Sequence, residues 1–485
     1  MRVSDASAPP PVPPIKKEPE PLTMAEAPAK DGVVFERLPG REMSDPVFSA
    51  SLAHVLHTVD GALHFDGALV KTRPGVRLDG GLRFAEEGPR WMAGGTQDDG
   101  GSVFVMPDRE IVVRGTIKGV WTSRDLRVVA HVSRRDAEDT LFLDGQPVLS
   151  YNHIRDVRLS RDGTRWACVE VKNPLPAPGD PPGGERVVVN GRRMESVYDA
   201  VTGLILSADG KRTAFVARRR DASGILHELI ADDTVIDQAR GEASVFSGLA
   251  FSPDGNWLAH VARKPGARPR IIVEGQPVIE IGDEVAAGTG ENLDAGPLRI
   301  GPVRFSPDSR HVACVAAAVR AVLYRDGRIA ATHPSIDVDS PVWSPDSLHL
   351  AFSSSSPLEP PRGDKGGTQT QTQSTTLWDN DRALQVINTR VTRLREDAAA
   401  RLGGYEHMTY SPDSEFLACT VQAFSQRHGL THLGVHVNGS SLSGTTPPVP
   451  PVRAVRWDAD GNLRLISEQA GNPGRLTRET ITLDR

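Results

Sequence analysis

Several signatures that would identify an enzyme or a membrane protein are missing from the sequence. It contains no Gly-x-Ser-x-Gly elbow, no Walker A loop and no His-Glu-x-x-His motif. No apolar run approaches the ~20 residues that span a bilayer, and the N-terminus lacks the apolar core of a secretory signal. These absences predict a cytoplasmic protein without a membrane partner, and they favour a function other than catalysis.

Neither sign of charge dominates the chain. Lys and Arg number 56, Asp and Glu number 62, and the formal net charge is −6. A chain with this balance does not attract polyanions as a whole, so any basic surface must be local. Aromatic residues that could stack on bases are not interleaved with the basic ones. We therefore expect no nucleic-acid partner.

What the sequence does contain is a repeated strand, turn and strand, seen best at residues 251–261 (Phe-Ser-Pro-Asp-Gly-Asn-Trp-Leu-Ala-His-Val). Pro presets φ at the second turn position, Asp suits the third, and Gly supplies the positive φ that returns the chain as a hairpin. Ten units carry this turn or a degenerate form of it, with third positions at 51, 87, 125, 162, 209, 254, 308, 346, 413 and 460. In seven units an Ala follows five residues later, which is typical of a true internal repeat.

A second tight turn follows most of these hairpins. The six examples are Asp66-Gly67, Asp144-Gly145, Asn190-Gly191, Glu274-Gly275, Asp326-Gly327 and Asn438-Gly439. Each unit therefore contains four short antiparallel strands, A to D, and radial packing would cover both faces and protect the edges of such sheets. We predict an all-β fold, a β-propeller of four-stranded antiparallel blades with ten candidate units. A ring of seven or eight blades and a pair of rings are the alternatives.

The Phe-Ser-Pro-Asp-Gly turn, followed by an aliphatic-Ala-aromatic strand, resembles the repeat of TolB-like, WD-repeat-like propellers from about residue 46 to the end. Related propellers form non-catalytic domains of prolyl oligopeptidase and tricorn-type proteases, but this chain leaves no room for the appended hydrolase domain. Residues 160–166 approach the Asp-box of sialidase-type propellers, although Gly follows Asp directly and breaks the pattern. The resemblance implies the fold and leaves the function open, because this fold hosts many roles.

We divide the chain into a Pro-rich tail at residues 1–31, which we expect to be disordered, and a propeller over residues 32–485. The last unit has strands A, B and C before the chain ends, so its D strand is missing. Val33-Val34-Phe35 has no other partner. We expect this segment to complete the last blade.

Every long insertion lies between strands B and C or between strand D and the next strand A. The first kind covers 173–185 and 354–376, and the second covers 282–301, 389–407 and 440–452. Both kinds emerge at the same end of an up-and-down blade, so we expect binding on that face. We expect residues 357–376 to be a disordered loop and residues 392–402 to be a helix, capped by Thr392 and ended by Gly403-Gly404.

Basic residues recur nine to eleven positions after the turn Asp in four consecutive units. With two more just beyond, this basic arc consists of Arg134, Arg135, Lys172, Arg218, Arg219, Arg220, Arg263, Lys264, Arg268 and Arg270. Equivalent positions in adjacent blades are neighbours, so the arc would attract an acidic protein surface or a phosphate-rich ligand. The alternative is a set of solvated charges partly balanced by nearby carboxylates.

The cysteines share one position on strand B of three units: Cys168, Cys314 and Cys419. In other units His57, His131 and His260 stand there, and His54, His311 and His349 share another position. A repeated position favours small buried side chains over a disulfide or a metal cluster. We therefore assign no cofactor, metal or catalytic residue, although the oligogalacturonate lyases, which have TolB-like repeats and a metal, keep a metal site as an alternative.

These observations together favour a stand-alone binding scaffold that engages an acidic protein partner through the loop-rich side of the ring. A hydrolase or lyase with its site in the central funnel is one alternative. A propeller that binds a small ligand is the other. Inward-facing His, Asp and Glu side chains converging near the axis would favour the enzyme.

Overall fold

The computed structural model describes residues 31–70, 72–86, 88–172, 184–242, 245–274, 279–282, 285, 298–356, 362–363, 369–392, 403–425, 429–442, 452–469 and 472–483. Their strands pair into ten antiparallel sheets, one for each predicted unit. The prediction of ten blades is therefore confirmed, and the smaller ring and the pair of rings are wrong. The predicted tail and the helix beyond Thr392 lie outside the described residues, and Thr392 itself ends a strand.

We number the blades in chain order and letter their strands A to D. Blades 1 to 3 consist of Val47–Phe48, Val55–Val59, Ala62–Phe65 and Ala68–Leu69; Val76–Phe84, Trp91–Gln97, Ser102–Val105 and Glu110–Val113; Thr116–Thr122, Val129–Arg135, Glu138–Leu143 and Gln146–Tyr151. Blades 4 to 6 consist of His153–Leu159, Trp166–Val171, Glu185–Val189 and Arg192–Arg193; Ala200–Leu206, Thr213–Asp221, Gly224–Ala231 and Thr234–Arg240; Phe246–Phe251, Leu258–Ala262, Arg270–Val273 and Ile279–Glu280.

Strand A is broken in two in blades 7 and 8. Blade 7 consists of Arg299–Ile300 with Arg304–Phe305, then Val312–Ala317, Ala321–Arg325 and Arg328–His333. Blade 8 consists of Ser335–Ile336 with Val342–Trp343, then Leu350–Ser355, Gln369–Asp379 and Arg382–Thr392, and it carries the extra strand Arg362–Gly363. Blade 9 consists of Gly403–Tyr410, Leu417–Ser425, Gly429–Val437 and Ser440–Ser441.

Blade 10 is built from both ends of the chain. Strands Val452–Trp457, Leu463–Gln469 and Asn472–Ile481 come from the C-terminal end, and Gly32–Glu36 pairs with the last of them as the outer strand. Phe35 of this strand is buried with Leu52 of blade 1 and Ile466 of blade 10. Arg464 also donates from Nη1 to the Ser51 carbonyl, 3.1 Å away. Blades 10 and 1 are thus in contact, and the ring is closed.

The hydrophobic core is divided among the ten junctions between adjacent blades, each of which has its own cluster of buried residues. Strand B is apolar on both faces and is buried throughout in blades such as 4 and 6 (Trp166–Val171 and Leu258–Ala262) because both of its faces are covered by neighbouring blades. The A strands of neighbouring blades contact one another, so strand A is innermost and strand D lies at the rim.

The A-to-B turns also hold neighbouring blades together. Within the turn of blade 6, the Ser252 hydroxyl donates to Asp254 Oδ1 over 2.5 Å and accepts from the Trp257 N–H over 3.0 Å. Where the fourth turn residue is Ser, its hydroxyl accepts an N–H from the preceding turn. The Asp254 N–H donates to Ser309 in this way, and the Asp308 N–H donates to Ser347, both over 3.0 Å.

The C-to-D turns explain their own preference for Asp or Asn. Where the first residue is Asp or Asn, it has a φ near +50°, as at Asp66, Asn190 and Asn438, a conformation that these two residue types tolerate. Its side-chain oxygen also accepts the N–H at the start of strand B. The distance is 2.8 Å at Asp66, Asn190, Asp326 and Asn438. A single residue type therefore satisfies both the backbone geometry and a buried donor.

One prediction about the insertions is wrong. Residues 369–376, expected to be disordered, form the first part of strand C of blade 8. That strand continues beyond strand B, whose last residue, Ser355, pairs with Thr375, and it pairs there with strand D from Asn388 to Thr392. We call the side of the ring with the B-to-C and D-to-A connections the loop face, and the opposite side the turn face.

Candidate functional site

The loop face is uneven because some blades are taller than others. In blade 5 strands B and C run on to Asp221 and Gly224, and in blade 9 they run on to Ser425 and Gly429. Strands C and D of blade 8 rise beyond their strand B on the same face. The backbone of these three blades therefore extends further on the loop face than that of blades whose B-to-C hairpins end with the strands.

All ten residues of the basic arc lie where strand B ends on the loop face or just beyond, and the structure divides them into two groups. Four form ion pairs with carboxylates: Arg134 with Asp139 (3.2 Å), Arg219 with Glu228 (2.9 Å), Lys264 with Asp237 (2.5 Å) and Arg270 with Glu280 (2.5 Å). The side chain or main chain of Arg268 also takes part in a non-covalent polar or electrostatic interaction. Half of the predicted arc therefore serves the fold.

Two members of the paired group also contact aromatic rings. Arg219 lies over the ring of Tyr198, 4.5 Å from its centroid, on the side of blade 4. Lys264 lies 6.0 Å from the ring centroid of Phe246 and pairs with a carboxylate of the preceding blade. Such contacts combine charge with aromatic packing and stabilise the B-to-C hairpins where they leave the ring.

The second group is exposed. Among the residues that the structure describes, no hydrogen bond or ion pair engages the side chains of Arg135, Lys172, Arg218, Arg220 and Arg263. They belong to the four adjacent blades 3 to 6. This exposed group, rather than the whole arc, is the part of the surface that is available to a ligand.

The D-to-A connections hold the main chain of this group in place. The Arg263 N–H donates to the Val245 carbonyl over 2.7 Å, and Asn152 Nδ2 donates to the Lys172 carbonyl over 2.7 Å. In blade 5 the Asp199 N–H donates to the Arg218 carbonyl over 2.9 Å. A cation anchored in this way loses less conformational entropy on binding than one in a free loop.

Counting from the turn Asp missed one further cation. Arg114 is exposed in the connection between blades 2 and 3, next to Gly115, which approaches the B-to-C hairpin of blade 3. A Cβ on Gly115 would lie 2.5 Å from the Arg134 carbonyl oxygen. In the sequence, the Arg-Gly pair that follows strand D indicates this residue. The pair lies outside the repeat position by which the basic arc is defined.

The three cysteines are buried and unbridged, which confirms the prediction of small buried side chains at this position. Burial raises the pKa of the Cys314 and Cys419 thiols to about 12 and raises that of Cys168 further. Thiols that stay protonated are poor nucleophiles and poor metal ligands. These residues therefore fill the strand B position with a small apolar group.

The histidines at the same position are buried as well. Burial lowers the pKa of His57, His131 and His260 to about 4, with His64 adding to the effect at His57. The second histidine set has another role. His54, His311 and His349 each contact the carboxylate at the end of strand C or in the turn that follows it, over 2.7, 2.8 and 3.1 Å. Both sets of histidines are thus engaged in packing or in turn bonds.

The inner strands contribute arginines that tie one blade to the next. Arg158 Nε donates to the Leu204 carbonyl over 2.9 Å, and Arg304 Nη2 donates to the Asp339 carbonyl over 3.0 Å. One edge of each strand A pairs with no other described strand, so carbonyl oxygens on that edge have no strand partner. These arginines donate hydrogen bonds to such oxygens. Within the described ranges, no group of three or more His, Cys, Asp or Glu side chains is placed to hold a metal ion.

No model of a protein family matches the chain, and no curated protein matches it. Several solved structures are similar to it. A eukaryotic initiation factor is 13% identical, with 85% of this chain and 94% of that one covered and a TM-score of 0.39. The β-propeller domain of Myceliophteria thermophila Cps50 (Swd1) is 12% identical, with 76% and 100% covered and a TM-score of 0.28.

A third similar structure is the β-propeller domain of the trilobed protease from Pyrococcus furiosus. It is 12% identical, with 74% of this chain and 99% of that one covered and a TM-score of 0.30. Two of the three structures are thus described as β-propeller domains, the class that the strand pairing defines here. In the part of the chain that is described, no helix has the length and apolar character to cross a membrane.

Proposed function

We propose that this protein is a non-enzymatic scaffold that binds an acidic protein partner through its loop face. The observation that carries the proposal is the exposed group of the basic arc, five cations on four adjacent blades without a partner among the described residues. Uncompensated charges on one face steer and orient an oppositely charged surface. The tall strands of blades 8 and 9 rise from the same face and would limit how a partner can approach.

The turn face supports the proposal by contrast. The Ser and Asp side chains of its repeated turns are bonded within turns or between them, as at Ser252, Asp254 and Ser309, so these repeated residues serve the fold. The protein would act in the cytoplasm, and we expect it to bind neither nucleic acid nor membrane. That its repeats belong with those of the TolB-like propellers is a prediction from the turn motif.

The test is affinity purification of the tagged full-length protein from its native lysate, followed by mass spectrometry. One variant carries Glu at the exposed group: Arg135, Lys172, Arg218, Arg220 and Arg263. The control variant carries Glu at three exposed arginines of the turn face: Arg165, Arg310 and Arg328. We expect a stoichiometric acidic protein with the wild type and the control but not with the loop-face variant. A partner retained by all three proteins, or no partner for any, would contradict the proposal.

A further inference from the structure

We infer that Arg218, Arg220 and Arg263 form an anion-binding site for clustered negative charges on an extended segment of the partner protein. The inference rests on the proposed function and narrows it to three side chains at the loop-face ends of strand B in blades 5 and 6. Four features of the structure carry it: the spacing of Arg218 and Arg220 on their strand, the engagement of nearby carboxylates, the anchoring of the main chain and, among the described residues, the absence of exposed aromatic rings beside them.

Arg218 and Arg220 lie two residues apart on strand B of blade 5, so their side chains project from the same face. Arg219, between them, projects from the other face and is engaged by Glu228 and Tyr198. The Cα atoms of two residues at positions i and i+2 of a strand are about 7 Å apart. Arginines with this backbone spacing can each form bidentate bonds with neighbouring anionic groups of one bound segment.

Arg218 and Arg220 project toward blade 6, because Val216 on the same face of their strand is buried against Phe246 and Ala262 of that blade. Arg263 lies on blade 6, directly after strand B ends at Ala262. The next residue, Lys264, is engaged by Asp237 of blade 5. The three arginines therefore mark a path from blade 5 across blade 6, along which an extended segment would lie.

The carboxylates beside these arginines are largely engaged by other groups. Asp221 is bound by Arg240 over 2.8 and 2.9 Å, and Asp237 is bound by Lys264 over 2.5 Å. Asp199 accepts the main-chain N–H of Arg220 over 2.6 Å. Among the described residues, neither Asp199 nor the exposed Glu242 forms an ion pair. Three arginines therefore face two local carboxylates.

The remaining members of the exposed group are less suited to this role. Arg135 lies opposite the exposed Glu138 in its hairpin and is followed directly by Asp136. Lys172 carries a point charge that cannot make the bidentate bonds of a guanidinium. We therefore assign these two residues to general attraction of the partner, and the arginines of blades 5 and 6 to specific contact.

The site fits a protein segment better than a nucleic acid. The neighbouring rings of Tyr198 and Phe246 are buried, with 5% and 2% of their surface exposed, so neither offers a stacking platform for bases. Clustered Asp or Glu carboxylates and a phosphorylated side chain share the chemistry that this site would bind.

The experiment measures binding of fluorescent peptides to the full-length protein by anisotropy. The probes are a short peptide of alternating Glu and Gly, the same peptide with phosphoserine replacing one Glu, and a neutral version with Gln. We expect both anionic peptides to bind the wild type, with affinity falling as salt is raised, and the Gln peptide not to bind. The anionic peptide with the higher affinity identifies the preferred source of charge.

The variants test the assignment to particular residues. We expect R218E/R220E and R263E to weaken binding of the anionic peptides about tenfold or more. R218K/R220K should weaken it less, because charge remains while the bidentate geometry is lost. R310E, a matched reversal on the turn face, should bind like the wild type. Melting temperatures equal to that of R310E would show that the variants are folded. Equal peptide binding by all variants would overturn the inference.

Two further outcomes separate this inference from the proposed function. If R218E/R220E still captures the partner that the five-residue loop-face variant loses, the scaffold proposal stands and the assignment to blades 5 and 6 falls. If a single-stranded oligonucleotide binds more tightly than either anionic peptide, and R218E/R220E abolishes that binding, the choice of a protein segment is wrong.

Discussion

The buried histidines make the propeller sensitive to acid, and His131 allows the effect to be worked out. Its side chain is 1% exposed, and its Nδ1 is buried without a hydrogen-bond partner among the described residues. The ring stacks on Phe142 at a centroid distance of 4.8 Å and meets the edge of Phe104 at 5.7 Å. Nothing in this pocket compensates a positive charge, so burial lowers the pKa to about 4.

The sign of the pH effect follows from linkage. The folded protein holds His131 with a pKa near 4 against 6.5 in the unfolded chain, so the unfolded chain binds more protons in acid. The stabilising effect of the neutral ring is present above pH 6.5 and is lost as the pH falls toward 4. Between pH 7 and pH 5 the loss is about 2 kcal/mol for one such residue. His57 and His260 lie in other blades and should add similar amounts.

The perturbation is His131→Phe, which keeps a flat ring against Phe142 but removes the titrating group. Urea unfolding at pH 7, 6 and 5 should show a loss of stability on acidification that is about 2 kcal/mol smaller in the variant than in the wild type. Phe142→Leu is the control, because it damages the same contact without removing a titrating group. It should lower stability at every pH and leave the slope unchanged. Parallel pH dependence of His131→Phe and the wild type would refute the reasoning.

Three further predictions concern the connections between blades, with urea midpoints as the measurement. Gly210→Ala should lower stability by about 2 to 4 kcal/mol, because its Cβ would lie 2.6 and 3.0 Å from atoms of the preceding turn. Gly191→Ala has open space around the new Cβ and a similar φ, so it should lower stability by about 1 kcal/mol. Equal losses of stability in the two variants would contradict the close approach at Gly210. Ser347→Ala should cost about 1 kcal/mol through loss of the bond from the Asp308 N–H, and an unchanged midpoint would show that this bond contributes nothing. Phe35→Ala should cost about 3 to 5 kcal/mol by emptying the junction of blades 10 and 1, and a loss below 1 would mean that the closing strand is not part of the cooperative unit.

The blade count was predictable because the A-to-B turn has a chemical requirement that leaves a mark in the sequence. The Ser hydroxyl and the Asp carboxylate bond to each other and to the returning strand, as Ser306 and Asp308 do with the N–H groups of His311 and Arg310. Such a turn tolerates few substitutions, so it recurs at a recognisable spacing. Local chemistry of this kind can be found without knowledge of which blade lies beside which.

The prediction of disorder is wrong at residues 369–376, where the sequence pattern has a strand periodicity that composition alone does not show. The chain there alternates Thr and Gln (Thr368 to Gln373), which is polar enough to suggest disorder but places a β-branched residue at every second position. That pattern favours a strand once a partner strand is present. Strand D of blade 8 provides the partner over residues 388–392. Pairing with a neighbouring segment thus overrode low hydrophobicity.

The state of the basic arc was only partly predictable. Arg134 and Asp139 are cross-strand neighbours in a tight hairpin, so their ion pair follows from the hairpin register. Lys264 and Asp237 belong to different blades, and their contact depends on how the sheets dock. A sequence pattern predicts an ion pair within one hairpin, but it does not predict an ion pair between two blades. This difference is why ten cations were predicted as a group and the structure divides them.

The same division bears on where function lies. On the turn face, the repeat positions are required by the fold, because each Ser or Asp is bonded within its turn or to the next one, as at Asp346 and Ser414. On the loop face, Arg218, Arg220 and Arg263 contact nothing in the described structure that needs their charge, and a smaller polar residue would satisfy the same main-chain bonds. Like charges close together repel one another, and these three arginines serve no contact in the described structure. We therefore expect the proposed partner to account for them.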